Sequence, residues 1–600
     1  MLTYSKTTLL LISGFTCAFS GVASATLTAP QKLQVPPLSS DAHSIVLTWK
    51  APANTSQIAD YRILQNNKVV ATALKSSKQH APARAYIDAF YKRDSTDFAK
   101  QIVWESATID NLKPSHSYQF QVRAVDKKGN YSPLSQSITV TTTAKPTVLN
   151  ITNFGAKGDG KTLNTDEIQN AINACTNDNC EVLIPKGTFK TGALYLKSNM
   201  TLYLAKGAIL LGSTNASDYP STYKLYTYSK TKRPASLINA IDSTNRKAGT
   251  FNNIRIVGHG VIDGNGWKHS SSTYKDTLNQ THPNYLKSNR SRYKKDGILA
   301  KNQVDQAITD GLSLKIAYGQ MRSSLMTLRG VNHLYIAGIT VQNPANHGIM
   351  VLTSKNIAVN GVTFRTYDAN NGDGIELGNS SNAMVFNSYF DTGDDSINFA
   401  AGTGQLATKQ PAMKQAWLFN NFFHHGHGAV VIGSHTGATI TNILAENNVV
   451  DGSNIGLRAK SSKVIGGGAS QIVFRNTAMA NLVRNAVIVT LKYSDSNASI
   501  DYPAAKTSAH FEDFEVRHVT VAGTTGKKPS IKITGDSTHN IWNKQINFDD
   551  VKLDNVMPTD INDLKNSHFN QVVFTNLKKG KTAWKFSEVD SVTVDGKTVD

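Results

Sequence analysis

The sequence predicts an all-β protein in which a small β-sandwich precedes a right-handed parallel β-helix, a solenoid of short strands. Residues 31–145 alternate apolar and polar side chains with a period of two, and turn residues separate the runs. From Ile151 onward, short apolar segments recur at intervals near 25 residues without long helical patterns between them. A chain of 600 residues with 42 glycines is long and loop-rich enough for at least two such domains.

The N-terminus has the pattern of a cleavable signal peptide. Lys6 supplies a positive charge, Leu9–Val22 is apolar, and Ala23-Ser24-Ala25 is a small-x-small cleavage pattern. The apolar run is too short for a membrane anchor, and no other stretch is apolar enough to span a bilayer. We expect residues 1–25 to be removed and the mature protein to be exported, to the periplasm or the medium, without a membrane attachment.

Export changes the interpretation of the cysteines. Cys17 lies in the signal segment, so only Cys175 and Cys180 remain in a compartment where disulfides persist. Two thiols five positions apart, without clustered histidines, are too few for a zinc site. We therefore expect a local Cys175–Cys180 disulfide, no bound metal and no cofactor.

The β-sandwich is assigned to residues 26–145. Its predicted strands are Ser44–Trp49, Asp60–Leu64, Ser117–Val122 and Ser137–Val140. Trp49 is the expected centre of the core. Leu112-x-Pro114-x-x-x-Tyr118, followed by Arg123-Ala124-Val125-Asp126, resembles the tyrosine-corner segment of fibronectin type III domains, and the resemblance covers most of residues 31–143. We expect its aromatic residues to form a core, and we assign this domain no chemistry.

The solenoid is assigned to residues 146–600, after a linker at Thr141–Pro146. Its clearest repeats are Asn332–Val341, Asn356–Phe364 and Asn382–Phe390, with first asparagines spaced by 24 and then 26 residues. Such a period fits a coil that supplies several short strands. We expect the recurrent asparagines to form buried ladders at the turns, which is a structural role.

Four polar clusters interrupt the apolar strands, and they carry the chemistry. They are Asn371-Gly372-Asp373, Gly393-Asp394-Asp395, Gly426-His427-Gly428 and Arg458-Ala459-Lys460. Residues one coil apart lie about 4.8 Å from each other, so clusters separated by a coil share one face. The intervals of 33 and 31 residues after Asp394 are long for one coil, and we expect Gly402–Lys414 to form an excursion.

Three carboxylates beside a histidine and two cations fit the cleavage of an anionic sugar polymer. Glycoside hydrolysis requires a carboxylic acid that protonates the leaving oxygen and a carboxylate that attacks or activates water. Repulsion between like charges is expected to raise the pKa of one carboxyl group, which then stays protonated. An arginine and a lysine nearby would bind a uronate carboxylate.

The ordered clusters resemble the motifs of glycoside hydrolase family 28, the polygalacturonases, which read Asn-Thr-Asp, Asp-Asp, Gly-His-Gly and Arg-Ile-Lys. The likeness extends over about residues 150–500 and includes the opening segment Asn153–Gly160. Gly372 in place of Thr and Ala459 in place of Ile are two departures, and both lie between functional positions.

The family resemblance implies inverting hydrolysis of α-1,4-galacturonide bonds. It assigns Asp394 as the general acid, Asp373 and Asp395 as the carboxylates that activate water, and His427 as support for the acid. The substrate-binding residues that it implies are Arg458 and Lys460, for a galacturonate carboxylate, and Tyr493, beside the scissile bond.

The net charge of +20 is concentrated in one region, since residues 221–330 hold 18 Lys and Arg against 6 Asp and Glu. Such a field attracts polyanions, and export favours an acidic polysaccharide, polygalacturonate, over nucleic acid. The basic insertion at about 268–330 is too long for a turn, so we expect it to close one end of the groove. Together with the N-terminal domain it resembles the exo-acting bacterial members of the family, which implies release of digalacturonate from the non-reducing end.

Other functions share parts of this pattern. An endo-polygalacturonase would carry the same four clusters on an open groove. A calcium-dependent pectate lyase shares the β-helix and the substrate, although the Asp-Asp and Gly-His-Gly clusters argue against it. A basic β-helix could also bind polygalacturonate without cleaving it. The sequence specifies no oligomeric state.

Overall fold

A computed structural model describes residues 27–52, 57–94, 105–176, 178–242, 244, 247, 249–286, 292–494 and 502–599. The predicted signal peptide therefore lies outside the described residues. Of the helices in these ranges, none combines the length and the apolar character needed to cross a membrane.

The N-terminal domain is a β-sandwich of two antiparallel sheets. One sheet contains Gln31–Gln34, Ile45–Lys50 and Ser106–Ile109, and the other contains Lys68–Thr72, Ile58–Gln65, Ser117–Asp126 and Ile138–Thr141. Trp49 is fully buried and meets Tyr61 edge to face, with ring centroids 5.0 Å apart. The Tyr118 hydroxyl accepts the Lys113 amide at 2.9 Å, which is the bond that a tyrosine corner requires.

Two helices that the strand pattern did not predict also belong to this domain. They are Ala73–His80 and Pro82–Arg93. Thr72 caps the first through a bond from the Lys75 amide, and Pro82 begins the second at a position where its missing amide hydrogen costs nothing.

The rest of the chain forms a parallel β-helix with three faces. Face 1 consists of Leu194–Tyr195, Ile238–Ala240, Met326–Arg329, Ile349–Leu352, Ile375–Gly378, Ile397–Ala400, Val430–Gly433, Ile455–Lys460, Asn485–Thr490 and Ile531–Thr534. Face 2 consists of Thr147–Asn150, Cys180–Ile184, Met200–Leu204, Phe251–Gly258, Val331–Ala337, Lys355–Asn360, Ser381–Phe386, Met413–Phe419 and Ile440–Glu446. Face 3 consists of Asp159–Leu163, Gly187–Thr191, Ala208–Gly212, Val261–Asp263, Thr340–Gln342, Thr363–Arg365, Tyr389–Asp391, Phe422–Phe423 and Val449–Asp451.

In the C-terminal coils neighbouring faces merge into long strands: the first three combine faces 2 and 3, and the last two begin on face 1. These are Gly468–Leu482, His510–Thr524, Asn543–Asp554, Asp560–Thr575 and Phe586–Val594, and Lys597–Val599 closes the last by antiparallel pairing. At the opposite end, the helix Thr165–Asn173 covers the first coils. Cys175 and Cys180 form a disulfide just after this helix, with their Cα atoms 5.7 Å apart.

The recurrent asparagines form a ladder along one turn of the β-helix. Asn356 donates to the Asn332 side chain at 2.9 Å, and Asn382 donates to Asn356 at 2.7 Å. Asn382 is exposed and the other two are half-buried, so this ladder lies at the surface. Other asparagines of the repeats form the buried ladders that we expected: Asn387 donates to Asn360 at 3.0 Å and Asn421 to Asn448 at 3.2 Å. Apolar rungs such as Phe364 and Phe390, stacked at 4.4 Å, fill the interior.

Two of the long excursions from the β-helix contain hairpins in the described residues. The first, residues 219–235, contains the hairpin of Ser221–Tyr223 and Arg233–Pro234. The second contains the hairpin of His269–Lys275 and Thr281–Tyr285, then the helices Tyr293–Asp296, Leu299–Thr309 and Leu314–Gln320. A short 3-10 helix, Gln405–Lys409, occupies the excursion predicted at Gly402–Lys414.

The sandwich packs against the β-helix through its second helix. Tyr86 stacks on Tyr389 and Phe422 at 4.3 Å and 5.4 Å, and Arg93 forms an ion pair with Asp451. Apolar residues of both domains join in one buried cluster. A cleft of about 1250 Å³ also separates parts of the two domains, away from the polar clusters of face 1.

Candidate active site

The four polar clusters meet beside face 1. Asp373 lies in the turn before Ile375–Gly378, and Asp394 and Asp395 lie in the turn before the next strand, Ile397–Ala400. His427 precedes Val430–Gly433, and Arg458 and Lys460 lie on the following strand. The folding of successive coils thus brings together the residues that the sequence separates by up to 87 positions, from 373 to 460.

Two glycines allow the turns to approach each other closely. A Cβ at Gly393 would lie 2.1 Å from the Ala369 carbonyl oxygen, and one at Gly372 would lie 2.4 Å from that of Thr366. A side chain at either position would force these turns apart. The replacement of the family's Thr by Gly372 therefore belongs to a tighter turn rather than to the chemistry.

Asp394 is paired with His427 across one coil. His427 Nδ1 lies 2.8 Å from Asp394 Oδ1, and the Asn371 amide donates to Oδ2 at 3.3 Å. Burial opposes ionisation of Asp394, but His427, Lys460 and Arg458 outweigh it and lower its pKa below the ordinary range. The pKa of His427 is raised, because the attraction of Asp394 and Asp395 exceeds the effect of burial. Both shifts favour the imidazolium–carboxylate form of the pair.

Asp395 is held by both cations of the fourth cluster. Arg458 Nη1 donates to Oδ1 at 2.8 Å, and Lys460 Nζ donates to Oδ2 at 2.7 Å. All three side chains are largely buried. Burial lowers the pKa of Lys460, but the Asp395 charge more than compensates, so the net shift is upward and the amine stays charged. The two cations therefore fix both oxygens of Asp395 toward the site.

Asp373 has a different partner, His347. The Nδ1 atom of His347 lies 2.9 Å from Oδ1 of Asp373. Burial raises the pKa of Asp373 to about 7, with contributions from the negative charges of Asp394 and Asp395, while His347 acts in the opposite direction. The carboxyl group with a raised pKa is therefore Asp373, not the Asp394 that the resemblance assigns as the acid.

Arg322 supports this site from the second excursion. It is buried and donates to the Asn371 side chain at 2.7 Å and to the Asn370 carbonyl at 2.7 Å. Tyr318 stacks on its guanidinium, 4.1 Å from the ring centroid. Because Asn371 in turn contacts Asp394, Arg322 helps to position the amide that holds the second oxygen of that carboxylate.

Tyr493 stands at the edge of the site. Its ring lies 5.2 Å from Lys460 Nζ and 5.9 Å from the Arg458 guanidinium. Such distances are suited to cation–π attraction. The structure thus places all seven residues predicted for catalysis and substrate binding in one region, and adds His347 and Arg322, which sequence reasoning did not identify.

This arrangement can perform acid–base chemistry on a sugar bond. It contains one carboxylate that shares a proton with histidine, a second held by two cations, and a third with a raised pKa. Hydrolysis of a glycoside needs a proton donor and a carboxylate that directs water. A parallel β-helix carrying these groups on one face defines a polysaccharide-active hydrolase.

Comparison with known proteins agrees with this class. The family described as "Glycosyl hydrolases family 28" matches residues 306–576, and "Fibronectin type III domain" matches residues 28–141. Residues 148–319 match "Rhamnogalacturonase A/epimerase, pectate lyase-like". The chain belongs to glycoside hydrolase family 28, with an N-terminal fibronectin type III domain.

Among its relatives is the exo-poly-alpha-D-galacturonosidase of Dickeya chrysanthemi, which is 56% identical over 600 residues, covering 100% of this chain and 99% of the relative. The structure of the Yersinia enterocolitica family 28 exopolygalacturonase matches with a TM-score of 0.92 and 56% identity, covering 95% of this chain and 100% of that one. A hyperthermoactive exopolygalacturonase from Thermotoga maritima, 21% identical with a TM-score of 0.56 over 72% of this chain and 92% of its own, shares the fold.

Proposed function

We propose that this enzyme hydrolyses the α-1,4-galacturonide bonds of polygalacturonate in exo mode, from the non-reducing end, with inversion and release of digalacturonate. The observation that carries the hydrolysis is the convergence of Asp373, Asp394 and Asp395 with the cations Arg458 and Lys460. The full-length similarity to the Dickeya and Yersinia enzymes supports polygalacturonate as the substrate and exo as the mode.

Protonation of the leaving oxygen is the role of the Asp394–His427 pair. The lowered pKa of Asp394 and the raised pKa of His427 favour the form in which His427 carries the proton. For Asp394 to act as the acid, His427 must transfer this proton to the carboxylate as the bond breaks. His427 therefore serves as the proton reserve of the pair.

Activation of water is the role of Asp373 and Asp395. Asp395 is oriented by its two cations, and Asp373 must lose its proton before it can act as a base. Arg458 and Lys460, which hold Asp395, also bind the carboxylate of a galacturonate residue. The guanidinium of Arg458 has five N–H donors, and Asp395 uses only one of them.

Exo cleavage fits a groove that is closed at one end. Residues 219–235 cross the outer side of face 1: the Tyr226 hydroxyl lies 2.9 Å from His435 Nδ1, and the Tyr228 hydroxyl accepts the Thr403 amide at 3.2 Å. Leu225 and Tyr226 pack with Met350 and Leu352, the outward side chains of one face 1 strand, Ile349–Leu352. We call residues 219–235 the crossing loop. It runs along several coils, from Thr327 to His435, and we propose that it limits access to one end of the groove.

From the sequence we expected a different segment, the basic insertion at about 268–330, to close the end of the groove. In the structure the described part of that insertion lies beside the turns that carry the carboxylates. His269 forms an ion pair with Asp368 there, and Arg322 contacts Asn371. Several of its charges are neutralised locally, as in the pairs Arg292–Asp296 and Lys301–Asp305. Its role is support of the catalytic turns, whereas the crossing loop spans the groove.

Product analysis tests the proposed function. Early digestion of de-esterified polygalacturonate should give one short oligomer, the dimer, while viscosity falls slowly relative to the appearance of reducing ends. A rapid fall in viscosity with a spread of oligomer sizes would indicate an endo enzyme. Calcium-dependent formation of an ultraviolet-absorbing unsaturated product would indicate a lyase, and binding without new reducing ends a non-catalytic protein.

Export is a second part of the proposal. It is supported by the charged, apolar and small-residue order of residues 1–25, and a Cys175–Cys180 disulfide suits an oxidising compartment. N-terminal sequencing of the mature protein should begin at Thr26. An intact N-terminus in protein recovered from the cytoplasm would contradict export.

A further inference from the structure

The turn that carries Asp373 is longer than its counterpart in the next coil. Residues 366–374, nine in number, connect the strands Thr363–Arg365 and Ile375–Gly378, whereas the five residues 392–396 make the corresponding turn of the next coil. A longer turn loses more backbone freedom when it is ordered, so contacts from outside the coil are needed to hold it. We call residues 366–374 the Asp373 turn.

The second excursion supplies such contacts along the Asp373 turn. Its hairpin, residues 269–285, is called the linking hairpin below. Arg365, the last residue before the turn, contacts His282 of this hairpin. Inside the turn, Asp368 forms an ion pair with His269, with 2.9 Å between Oδ2 and Nδ1. The last part of the turn is held by the Arg322 contacts described for the active site.

The tip of the linking hairpin docks on the sandwich. Asp276 closes the tip, since its Oδ1 accepts the Leu278 and Gln280 amides at 2.8 Å and 2.9 Å. Its Oδ2 accepts the Tyr86 hydroxyl at 2.7 Å, and Leu278 packs on the apolar cluster of the domain junction. Tyr86 lies on the second helix of the sandwich and is buried. The N-terminal domain therefore fixes the hairpin at its tip.

His282 connects this docking contact to the β-helix. Its Nε2 lies 2.8 Å from the Asp276 oxygen that accepts the tyrosine hydroxyl, and its Nδ1 faces the Arg365 guanidinium. A guanidinium has only donors, so Nδ1 accepts and the Nε2–H group donates to Asp276. His282 is buried. Tyr86, Asp276, His282 and Arg365 thus form one chain of hydrogen bonds from the sandwich to the start of the Asp373 turn.

We propose that the sandwich positions the Asp373 turn for catalysis through this chain of hydrogen bonds. Tyr86 and Asp276 are positioning residues, because each acts on the carboxyl group of Asp373 through the linking hairpin and the turn. The coupling rests on the proposed function, in which Asp373 directs water, and it gives the N-terminal domain a part in the reaction.

Steady-state kinetics on polygalacturonate test the effect on the chemical step. Tyr86→Phe keeps the stacked ring and removes only the hydroxyl. Its kcat should fall about 3- to 10-fold, a fraction of the roughly 10²-fold that a displacement of about 1 Å costs. Its KM should stay near the wild-type value, because Arg458 and Lys460 lie on the strand Ile455–Lys460 and not in the turn.

Tyr118→Phe is the matched control. It makes the same change in the same domain and removes a hydroxyl bond that lies wholly within the sandwich. It should lower the thermal unfolding temperature and leave kcat unchanged. An equal loss of kcat in Tyr118→Phe would trace the effect to the stability of the sandwich and would overturn the proposal.

A double-mutant cycle tests whether the two positioning residues act through one path. Asp276→Asn keeps an oxygen for the amides of the hairpin tip, but its amide nitrogen cannot accept the hydrogens of Tyr86 and His282. Its kcat should fall at least as far as that of Tyr86→Phe. The double variant should lose little more than Asp276→Asn alone, whereas losses that multiply would show independent effects and contradict the path.

Hydrogen exchange tests the coupling without using activity. The Ala369 and Gly372 amides bond within the Asp373 turn at 3.0 Å and 3.1 Å. They should exchange faster in Tyr86→Phe and in Asp276→Asn, but not in Tyr118→Phe, because a turn that has lost support opens more often. Wild-type exchange in both folded variants would overturn the coupling, as would wild-type kcat.

Failure of the coupling and failure of the proposed function give different results. If the wild-type enzyme releases no reducing ends from polygalacturonate, the proposed function itself is wrong. If the wild type is active and the folded Tyr86 and Asp276 variants match it in kcat and in exchange, only the coupling is wrong. Thermal unfolding of each variant shows whether it is folded.

Discussion

His347 Nδ1 lies 2.9 Å from Oδ1 of Asp373, one coil of the β-helix away. The two residues are 26 positions apart in the chain, which is the coil spacing at this level. Asp373 thus has an imidazole partner, whereas Asp395 has a guanidinium and an amine. Asp394 also has an imidazole partner, but its pKa is lowered, whereas the pKa of Asp373 is raised to about 7, so Asp373 is the carboxyl group of the three that titrates near neutral pH.

The first prediction concerns the pH dependence of kcat/KM. Asp373 acts as a base only when ionised, and its pKa is raised to about 7, so activity should fall as pH decreases through that value. His347→Gln removes the group that lowers this pKa, so the acidic limb should move to higher pH. Exposed His510→Gln should leave the profile unchanged. If the folded His347→Gln variant loses activity over the same acidic pH range as the wild type, His347 does not affect the pKa of Asp373.

The second prediction concerns the proton donor. Asp394→Asn should retain the fold and substrate affinity but lose about 10²- to 10⁴-fold or more in kcat, because the amide cannot transfer a proton. Steady-state kinetics on polygalacturonate and thermal unfolding provide the measurement. Near-normal turnover by a folded variant would remove Asp394 from the mechanism and favour Asp373, whose pKa is raised, as the acid.

Stereochemistry gives the third prediction. If Asp373 and Asp395 direct water rather than attack the sugar, the α-bond should first yield a β-configured hemiacetal. Proton NMR of the earliest products distinguishes the anomers before mutarotation. An α-anomer formed first would show a double displacement.

The fourth prediction concerns the buried ion pair at Asp395. Lys460→Met should destabilise the fold by about 3 kcal/mol, because it leaves a buried carboxylate with one cation instead of two. The double variant Lys460→Met/Asp395→Asn should recover much of that loss in denaturant unfolding while remaining inactive. If the double variant is no more stable than the single one, the loss comes from packing rather than from the unpaired charge.

The fifth prediction concerns the crossing loop. Replacing Tyr226 and Tyr228 by Ala removes the contacts with His435 and Thr403, which should open the end of the groove. Product sizing should then show longer oligomers, and viscosity should fall faster for each reducing end formed. Tyr131→Ala, an exposed tyrosine of the sandwich, is the matched control. An unchanged product pattern would place the closure elsewhere.

The sequence predicted the fold class and the four clusters because both follow a local rule. Apolar alternation and the coil period identify the strands, and each cluster is a short motif within one turn or, for Arg458–Lys460, one strand. His347 was missed because Asn346-His347-Gly348 is no known motif, although its distance of one coil from Asp373 was a usable signal. A search for histidines one coil from each predicted carboxylate would have found it.

The contacts of the crossing loop with face 1 could not be predicted in this way. Tyr226 and His435 are 209 residues apart, and no periodicity relates an excursion to the turn that it meets. The basic insertion was the more conspicuous segment, since its charge is visible in the composition. Contacts of residues 219–235 depend on aromatic packing in three dimensions, which the order of residues does not specify.

The docking of the sandwich on the β-helix has a consequence for the architecture as a whole. Tyr86, Tyr389 and Phe422 form one aromatic stack across the junction, and a shared apolar cluster surrounds it. Removing the sandwich would leave that cluster open to water, a hydrophobic patch of the kind that promotes aggregation. We therefore expect a β-helix domain produced without the sandwich to stay in solution only if polar side chains replace the rings of Tyr389 and Phe422.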